Sequence, residues 1–184
     1  MCPARRLQHR DYASPGRYFI TACSNFKRCT FGNVEKGRVF RTPLGELVER
    51  AWLELELLFP EIRLHGHIVM PNHIHGIVEI TGAGLALSAA PLQGGAHSLS
   101  VVVRTLKANV TRRARTELGW TEESWQENYY DRVIRDDREF LNALRYMAEN
   151  PIRWQGQVNA QMETIWIKKR GRALPAAPLQ RGRT

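Results

Sequence analysis

The hydrophobic pattern of the chain changes between two periods along its length. Runs of aromatic and β-branched residues predict β-strands, and apolar residues recurring every three or four positions predict helices. The predicted strands are 17–24, 62–70, 73–80 and 125–135, with a small hairpin within 29–42. Pro71-Asn72 suits a tight turn, so the second and third of these strands are predicted to form one hairpin.

Three helices are predicted from the helical spacing, at 43–59, 98–115 and 137–150. Asp136 or Asp137 caps the last helix, and Asn150-Pro151 is predicted to end it, because proline cannot donate to the helical hydrogen-bond ladder. Strands and helices mix without regular alternation. The order therefore predicts an α+β domain, with an antiparallel sheet of about four to five strands flanked by helices.

The length and charge of the chain limit the number of domains and the kind of partner that we expect. The 184 residues fit one domain, predicted to span 1–167 and to be followed by a basic, disordered tail at 168–184. The formal charge of +9 favours a polyanion such as nucleic acid as partner, although ribosome association, membrane-surface binding and plain solubility would also explain it. No apolar run is long enough to span a membrane and no secretory signal is visible, so we expect a cytoplasmic protein without membrane contact.

Two further features of the sequence, its cysteines and the segment 81–97, are not expected to take part in catalysis or metal binding. Cys2, Cys23 and Cys29 are expected to be reduced thiols, because their number is odd and no C-x-x-C pair exists. Residues 81–97 are predicted to form a flexible loop. Part of that loop closely matches the string at 171–182, but neither copy has a periodic apolar face.

Two histidines interrupt the apolar strand at 73–80. Because side chains alternate between the two faces of a strand, His73 and His75 point to one face, away from Ile74. Two imidazoles so placed can chelate a single ion, or they can be ordinary residues of a solvated face. His65 and His67 on the preceding strand have the same spacing and are interpreted as surface residues, although either could neighbour the pair.

The last predicted helix supplies two more groups that a phosphodiester-cleaving site needs. Tyr146 and Asn150 are four residues apart, so they share one helix face. A tyrosine can attack a phosphate, and an amide oxygen beside two imidazoles can complete a divalent-cation site. Core packing and a helix cap are the plainer interpretation. The other tyrosines have no ligand-type partner one helical turn away: Tyr12, Tyr18, Tyr129 and Tyr130.

Three separated motifs resemble those of a known family, in the family's order. They are "MPNHIHGIV" (70–78), "WQENYYDRVIRDDREF" (125–140) and "LRYMAENPIRW" (144–154). The His-hydrophobe-His pattern and the single tyrosine are similar to the single-tyrosine HUH transposases, in particular to the REP-associated tyrosine transposases. The resemblance covers about residues 11–155.

The resemblance implies a fold, a reaction and a role for each site residue. The fold is the ferredoxin-like HUH transposase fold. The reaction is metal-dependent cleavage and rejoining of single-stranded DNA beside hairpin (REP-like) sequences, with Tyr146 forming a 5′-phosphotyrosine intermediate. His73, His75 and Asn150 are implied to hold Mg²⁺ or Mn²⁺. Such an enzyme would be a nucleoid-associated monomer or homodimer, and its Met147, where isoleucine is common, is expected to affect packing only.

Five basic residues of the 98–115 helix are expected to contact phosphates of single-stranded or hairpin DNA. A solvated helix face is the alternative for each of them. As a group they predict binding that weakens with salt. They are Arg104, Lys107, Arg112, Arg113 and Arg115.

Two other functions are consistent with the sequence. A catalytically silent regulator that binds hairpin DNA would need the basic surface but not Tyr146. A zinc hydrolase would use His67, His73 and His75, with Glu79 as its base, and would not depend on the tyrosine. The presence of the complete tyrosine site favours the transposase over both.

Overall fold

The computed structural model describes residues 14–81 and 98–170, with side chains up to residue 155. The strands are β1 (Gly16–Cys23), β2 (Gly32–Glu35), β3 (Arg38–Arg41), β4 (Ile62–Met70), β5 (His73–Ile80) and β6 (Tyr130–Ile134). The helices are α1 (Pro43–Leu53), α2 (Leu55–Leu58), α3 (Leu99–Leu118) and α4 (Asp137–Arg170).

The main sheet has the strand order β4-β5-β1-β6, and every neighbouring pair is antiparallel. The sequence of elements β1-α1-β4-β5-α3-β6 is the split β-α-β arrangement of ferredoxin-like folds. β2 and β3 form a separate hairpin, whose turn residues Lys36 and Gly37 have the positive φ values of 50° and 73° that a two-residue hairpin turn requires. The predicted α+β domain with a helix-flanked antiparallel sheet is confirmed.

One face of the sheet packs against α1 and α3. Tyr18 of β1, together with Ile74 and Val78 of β5, is fully buried on this face with Trp52 of α1. The indole lies directly on the strand at Gly76, where an added Cβ would be 2.3 Å from the ring. This face forms the larger hydrophobic core.

The opposite face of the sheet packs against α4. Ile77 of β5 and Ile134 of β6 are buried against Ala143 and Met147 of the helix. Asp136 is the residue that caps the helix, since its carboxylate accepts a hydrogen bond of 2.7 Å from a backbone N–H of the first turn. The second, smaller core holds α4 over the face to which the two histidines point.

The predicted end of α4 at Asn150-Pro151 is wrong, because the helix continues to Arg170. Proline removes one backbone donor from the ladder but leaves the rest intact. Beyond it the helix is held by the β2–β3 hairpin, where the backbone N–H of Gly37 donates to Gln155 Oε1 at 2.7 Å. This tertiary contact outweighs the local effect of the proline.

The strand predicted at 125–135 is also shorter than expected, and β6 begins only at Tyr130. The carbonyl oxygens of residues 126, 127 and 128 accept hydrogen bonds from Lys107 Nζ at 2.8, 3.1 and 3.0 Å. These carbonyls therefore bind an ammonium group of α3 instead of pairing in a ladder.

Several predictions concern residues that the structure does not describe. The loop after Thr81, the matching string at 171–182, Cys2 and Tyr12 lie outside the described residues. Cys23 and Cys29 form no disulfide within the described residues. Among the helices that are described, none has both the length and the apolar character needed to cross a bilayer.

Candidate active site

His73 and His75 lie side by side on β5 and face α4. Their Nε2 atoms are 3.0 Å apart. Each ring is held from its other side, since His73 Nδ1 lies 2.7 Å from Asn72 Oδ1 and His75 Nδ1 lies 2.7 Å from Thr21 Oγ1. Both rings therefore present Nε2 to the same point, on the shared face that the strand alternation predicted.

Asn72 determines which nitrogen of His73 carries the proton. Its amide nitrogen donates to the carbonyl oxygen of Lys27 at 3.1 Å, so Oδ1 is the end of the amide that faces the imidazole. Nδ1 of His73 is then the donor, and Nε2 keeps a free lone pair. This is the tautomer in which a histidine can act as a metal ligand through Nε2.

The electrostatic environment keeps both imidazoles neutral at physiological pH. Burial lowers the pKa of His73 from 6.5 to about 4, and the charge of Lys27 adds to this effect. Burial also lowers the pKa of His75, to about 3, with the neighbouring His73 contributing. Neither imidazole is therefore protonated to an imidazolium near pH 7, and each can offer a lone pair in the appropriate tautomer.

Residues of α4 spaced one turn apart cover the histidine pair. The ring of Tyr146 lies 5.4 Å from that of His75, and the ring of Trp154 lies 5.9 Å from that of His73. Asn150 is one helical turn from both aromatic residues, so it lies on the same face of the helix as they do. Tyr146 is 42% exposed, which leaves it accessible to a substrate.

Asn150 is the buried polar residue of this helix face. Asn150 is only 7% exposed, and its Nδ2 atom has no hydrogen-bond partner among the described residues. A buried amide group of this kind requires a ligand or water to satisfy it. The two ends of an amide exchange by a half-turn, so the same site can present the oxygen to a cation.

The part of the chain that the structure describes contains no cluster of three His, Cys, Asp or Glu side chains placed for a metal ion. A cation between His73 and His75 would therefore need a different kind of third ligand. The amide oxygen of Asn150 is of the right chemistry, since oxygen and imidazole ligands both suit Mn²⁺ and related ions.

His67 lies on the other face of the sheet, so it cannot join His73 and His75. A β-bulge precedes it, and its ring stacks on Trp52 of the larger core with centroids 5.9 Å apart. Its Nε2 is 3.6 Å from Glu49. His67 is thus packed against α1 rather than free on the surface, and this arrangement is incompatible with the zinc site considered above.

His65 and Glu79 pair with each other at 2.7 Å and are both partly exposed. Glu79 is four residues along β5 from His75, a separation on the order of 13 Å in a strand. The carboxylate considered as a hydrolytic base therefore lies away from the histidine pair.

Tyr146 is distinguished from the other described tyrosines by its position. Tyr18 and Tyr129 are buried in the larger core, where their hydroxyl groups have hydrogen-bond partners. Tyr130 lies on β6, and the whole of β1 separates it from the strand that carries His75. Of these four, only Tyr146 has its ring beside a histidine of the pair.

Two of the five basic residues predicted to contact DNA have protein partners. Lys107 binds the three carbonyl groups that precede β6, as described above. Arg113 forms a two-pronged pair with Glu54, at 2.9 and 2.8 Å, and this raises the pKa of the arginine. These contacts tie α3 to neighbouring segments of the fold.

The other three basic residues are exposed and form no ion pair within the described residues. Arg104, Arg112 and Arg115 line a groove of about 740 Å³ between α3 and the segment 123–127. Since α3 and α4 pack on opposite faces of the sheet, this groove and the histidine pair lie on different sides of the molecule.

Sequence reasoning missed the residues that hold the site together. Asn72 was predicted only as a turn residue, and Thr21 was not singled out. Trp154 could have been found, because it continues the four-residue spacing that begins at Tyr146 and Asn150. No sequence signal joins Thr21 to His75, since their contact depends on the pairing of β1 with β5.

Comparisons with known proteins include a sequence relative and a solved structure of similar fold. No family model matches the chain. A protein of Haemophilus influenzae, described only as uncharacterized, is 36% identical over 159 residues, which cover 82% of this chain and 88% of the relative. The structure of a REP-associated tyrosine transposase bound to a REP hairpin superposes with a TM-score of 0.54 at 18% identity, covering 80% of this chain and 74% of the other. This likeness shows a shared fold.

Proposed function

We propose that this chain, which belongs to one family with the Haemophilus influenzae protein and has the fold of a REP-associated tyrosine transposase, is itself a single-tyrosine transposase. It cleaves and rejoins single-stranded DNA next to a hairpin. The observation that carries this proposal is the placement of Tyr146 beside the His73–His75 pair, with the buried amide of Asn150 one turn further along α4.

Tyr146 is the nucleophile of the proposed reaction. Its hydroxyl oxygen attacks the scissile phosphorus, a tyrosine O–P bond forms and the bond from phosphorus to the 3′ oxygen breaks. The phenol loses its proton to solvent, and the departing 3′ oxygen takes one up to become a 3′-OH. Because the phosphotyrosine preserves a phosphodiester, a 3′-OH can attack it in the reverse sense and rejoin DNA without ATP.

His73, His75 and Asn150 would hold a divalent cation, Mg²⁺ or Mn²⁺. Neighbouring ligands of an octahedral ion, each at ~2.1 Å, lie ~3 Å from one another. The two Nε2 atoms are 3.0 Å apart. The third ligand would be the oxygen of the Asn150 amide after a half-turn, since its Nδ2 has no hydrogen-bond partner among the described residues. When bound, the cation supplies Lewis-acid polarisation of the scissile phosphate.

Hairpin DNA is the proposed partner of the basic groove. The related transposase structure is of a protein bound to a REP hairpin. Here Arg104, Arg112 and Arg115 offer three guanidinium groups along one side of α3 that have no ion pair with any described residue, which suits a phosphate backbone. Lys107 and Arg113 act mainly by fixing α3, since both are engaged with protein groups.

The test is formation of a covalent protein–DNA adduct on a denaturing gel. A labelled single-stranded oligonucleotide carrying a REP-like hairpin from the genome that encodes the chain is incubated with protein and Mn²⁺. We expect an adduct from the unmodified protein and from Tyr130→Phe, the matched control, and none from Tyr146→Phe or His73→Ala. Chelation of the metal should also abolish it.

The outcomes separate the transposase from the catalytically silent regulator. Hairpin binding by every variant, with no adduct from the unmodified protein on any oligonucleotide that spans the genomic hairpin and its flanks, would support the regulator. An adduct that persists in Tyr146→Phe would contradict the assignment of the nucleophile.

A further inference from the structure

A pocket of about 420 Å³ opens beside Tyr146, between β1, β6 and α4. Its size falls in the ~300–1,000 Å³ range of pockets that hold small organic groups. β6, which contributes Arg132 to the lining, is the last strand of the main sheet. One wall belongs to His75 of β5, so the pocket adjoins the proposed metal site. The remaining lining residues are Phe19, Thr21, Arg132, Asn142, Ala143 and Tyr146.

The pocket combines an aromatic wall with a few polar groups. Phe19 is partly exposed, and its ring lies 6.1 Å from that of Tyr146 in an edge arrangement. Arg132, directly opposite Phe19 in the pairing of β1 with β6, is exposed and has no ion pair within the described residues. Such a lining suits a flat, aromatic ligand with polar edges better than it suits an isolated phosphate.

Asn142 places an amide group at the same pocket. It precedes Tyr146 by one helical turn, so it continues the helix face that carries Tyr146 and Asn150. An asparagine amide offers two donors and an acceptor, the combination that pairs with the edge of a nucleobase. Its side chain is exposed and thus free to meet a ligand.

We infer that this pocket holds one unpaired base of the DNA strand, that of a nucleotide adjacent to the scissile phosphate. The inference rests on the proposed function, because it places the base next to the attacking tyrosine. The base stacks against Phe19, Asn142 contacts its polar edge, and the guanidinium of Arg132 neutralises a neighbouring phosphate. Asn142 is then a specificity-determining residue, and Arg132 a positioning residue.

The test measures binding without chemistry, so that it does not depend on cleavage. Tyr146→Phe protein is titrated with hairpin oligonucleotides in which each flanking nucleotide in turn is replaced by an abasic analogue. We expect one position at which loss of the base weakens affinity by about tenfold, the typical effect of losing one stacked base. Two double variants, Tyr146→Phe with Asn142→Ala and Tyr146→Phe with Phe19→Ala, are then titrated with the same oligonucleotides. For each of them, the abasic replacement at that position should lower the affinity little further.

Controls distinguish a pocket effect from a general loss of charge or of folding. Arg138→Ala, an exposed arginine of α4 outside the pocket lining, should preserve the abasic penalty, whereas Arg132→Ala should reduce affinity for the oligonucleotide. Equal melting temperatures of the variants would establish that each is folded. Since Asn142 is exposed, its variant keeps the test valid if Phe19→Ala destabilises the protein.

The result that would overturn the inference is an abasic penalty that is unchanged in Asn142→Ala and Phe19→Ala, or the absence of any position-dependent penalty. The adduct assay is run in parallel on the unmodified protein. An adduct without a penalty at any position contradicts the base pocket alone. A base-dependent affinity without any adduct supports the pocket and contradicts the catalytic proposal.

Discussion

Asn72 holds the ring of His73 in the orientation and tautomer that the proposed metal site would need. The side chain links the carbonyl of Lys27 to His73 Nδ1 and so fixes both the ring and its tautomer. Such supporting contacts are worth about 10- to 100-fold in metal affinity. A residue that sequence patterns identify only as a turn former therefore belongs to the working site.

Replacing Asn72 should weaken metal binding only when the new side chain cannot accept a hydrogen bond from His73 Nδ1. Asn72→Ala removes the oxygen that His73 Nδ1 donates to, so we expect Mn²⁺ affinity to fall by about 10- to 100-fold. Asn72→Asp keeps an acceptor and should retain most of the affinity. Calorimetric titration with Mn²⁺ would measure both, and equal affinities of the two variants would contradict this role.

The low pKa values of the histidines predict a pH-dependent stability of the metal-free protein. The unfolded chain binds protons on these imidazoles near pH 6.5, whereas the folded chain does so only near 4 for His73 and 3 for His75. Stability is therefore fully present above about pH 6.5 and is lost as the pH falls toward 4, by up to about 1.4 kcal/mol per pH unit for each histidine.

Denaturant unfolding in the presence of a chelator, at pH values from 7.5 down to 4.5, would measure this loss. His75→Gln removes one of the two groups, so its stability should fall less steeply with pH than that of the unmodified protein. Identical slopes for the two proteins would contradict the assignment of the buried, neutral imidazole at this position.

The shared face of each pair of proposed site residues could be predicted because the two members of a pair are close in sequence. His73 and His75 are two apart on a strand, and Tyr146 and Asn150 are four apart on a helix, so the periodicity of each element brings the pair to one face. Thr21 could not be predicted, because it meets His75 only through strand pairing across 54 positions. The meeting of the two pairs likewise depends on the packing of α4 on the sheet.

At the scale of elements, local rules predicted the strands and helices but not all of their boundaries. The helix predicted at 43–59 is divided into α1 and α2, and α3 continues to Leu118. Pro151 was expected to end α4, yet the helix continues because Gln155 is anchored on the β2–β3 hairpin. The strand that ends at Ile134 is shorter than predicted, because the carbonyl groups that would have extended it accept hydrogen bonds from Lys107 Nζ. Both errors arise from contacts between segments far apart in the sequence.

The close approach of α1 to β5 predicts a large cost for a single methyl group. A Cβ at position 76 would lie 2.3 Å from the Trp52 ring, so Gly76→Ala should lower the free energy of unfolding by about 1–3 kcal/mol. The smaller side chain of Trp52→Leu leaves room, so Gly76→Ala should cost less in that background. Denaturant unfolding of the four proteins measures this coupling, and an equal cost in both backgrounds would contradict the packing account.

At the scale of the whole molecule, the sheet separates two surfaces. α4 and the histidine pair lie on one face, and α3 with its basic groove lies on the other. A hairpin held in the groove would have to pass its single strand around an edge of the sheet to reach Tyr146.

Because Arg104, Arg112 and Arg115 are exposed whereas Lys107 and Arg113 contact protein groups, only the first three should contribute to the salt dependence of hairpin binding. A triple variant, Arg104→Ala with Arg112→Ala and Arg115→Ala, should bind more weakly and lose about one unit of the log–log salt slope for each phosphate contact removed. Arg113→Ala is the matched control, since Arg113 is paired with Glu54; it should lower stability but keep the slope. Equal slopes for both variants would contradict the groove assignment.

The central claim is that Tyr146 forms the covalent link to DNA, and peptide mapping of the adduct tests it most directly. Trypsin cuts after Arg145 and Arg153, so Tyr146 lies on the peptide 146–153, while Tyr129 and Tyr130 lie together on 116–132. Mass spectrometry of the digested adduct should find the 5′-linked nucleotides on peptide 146–153. Nucleotides on 116–132, or on any other peptide, would contradict the proposed mechanism.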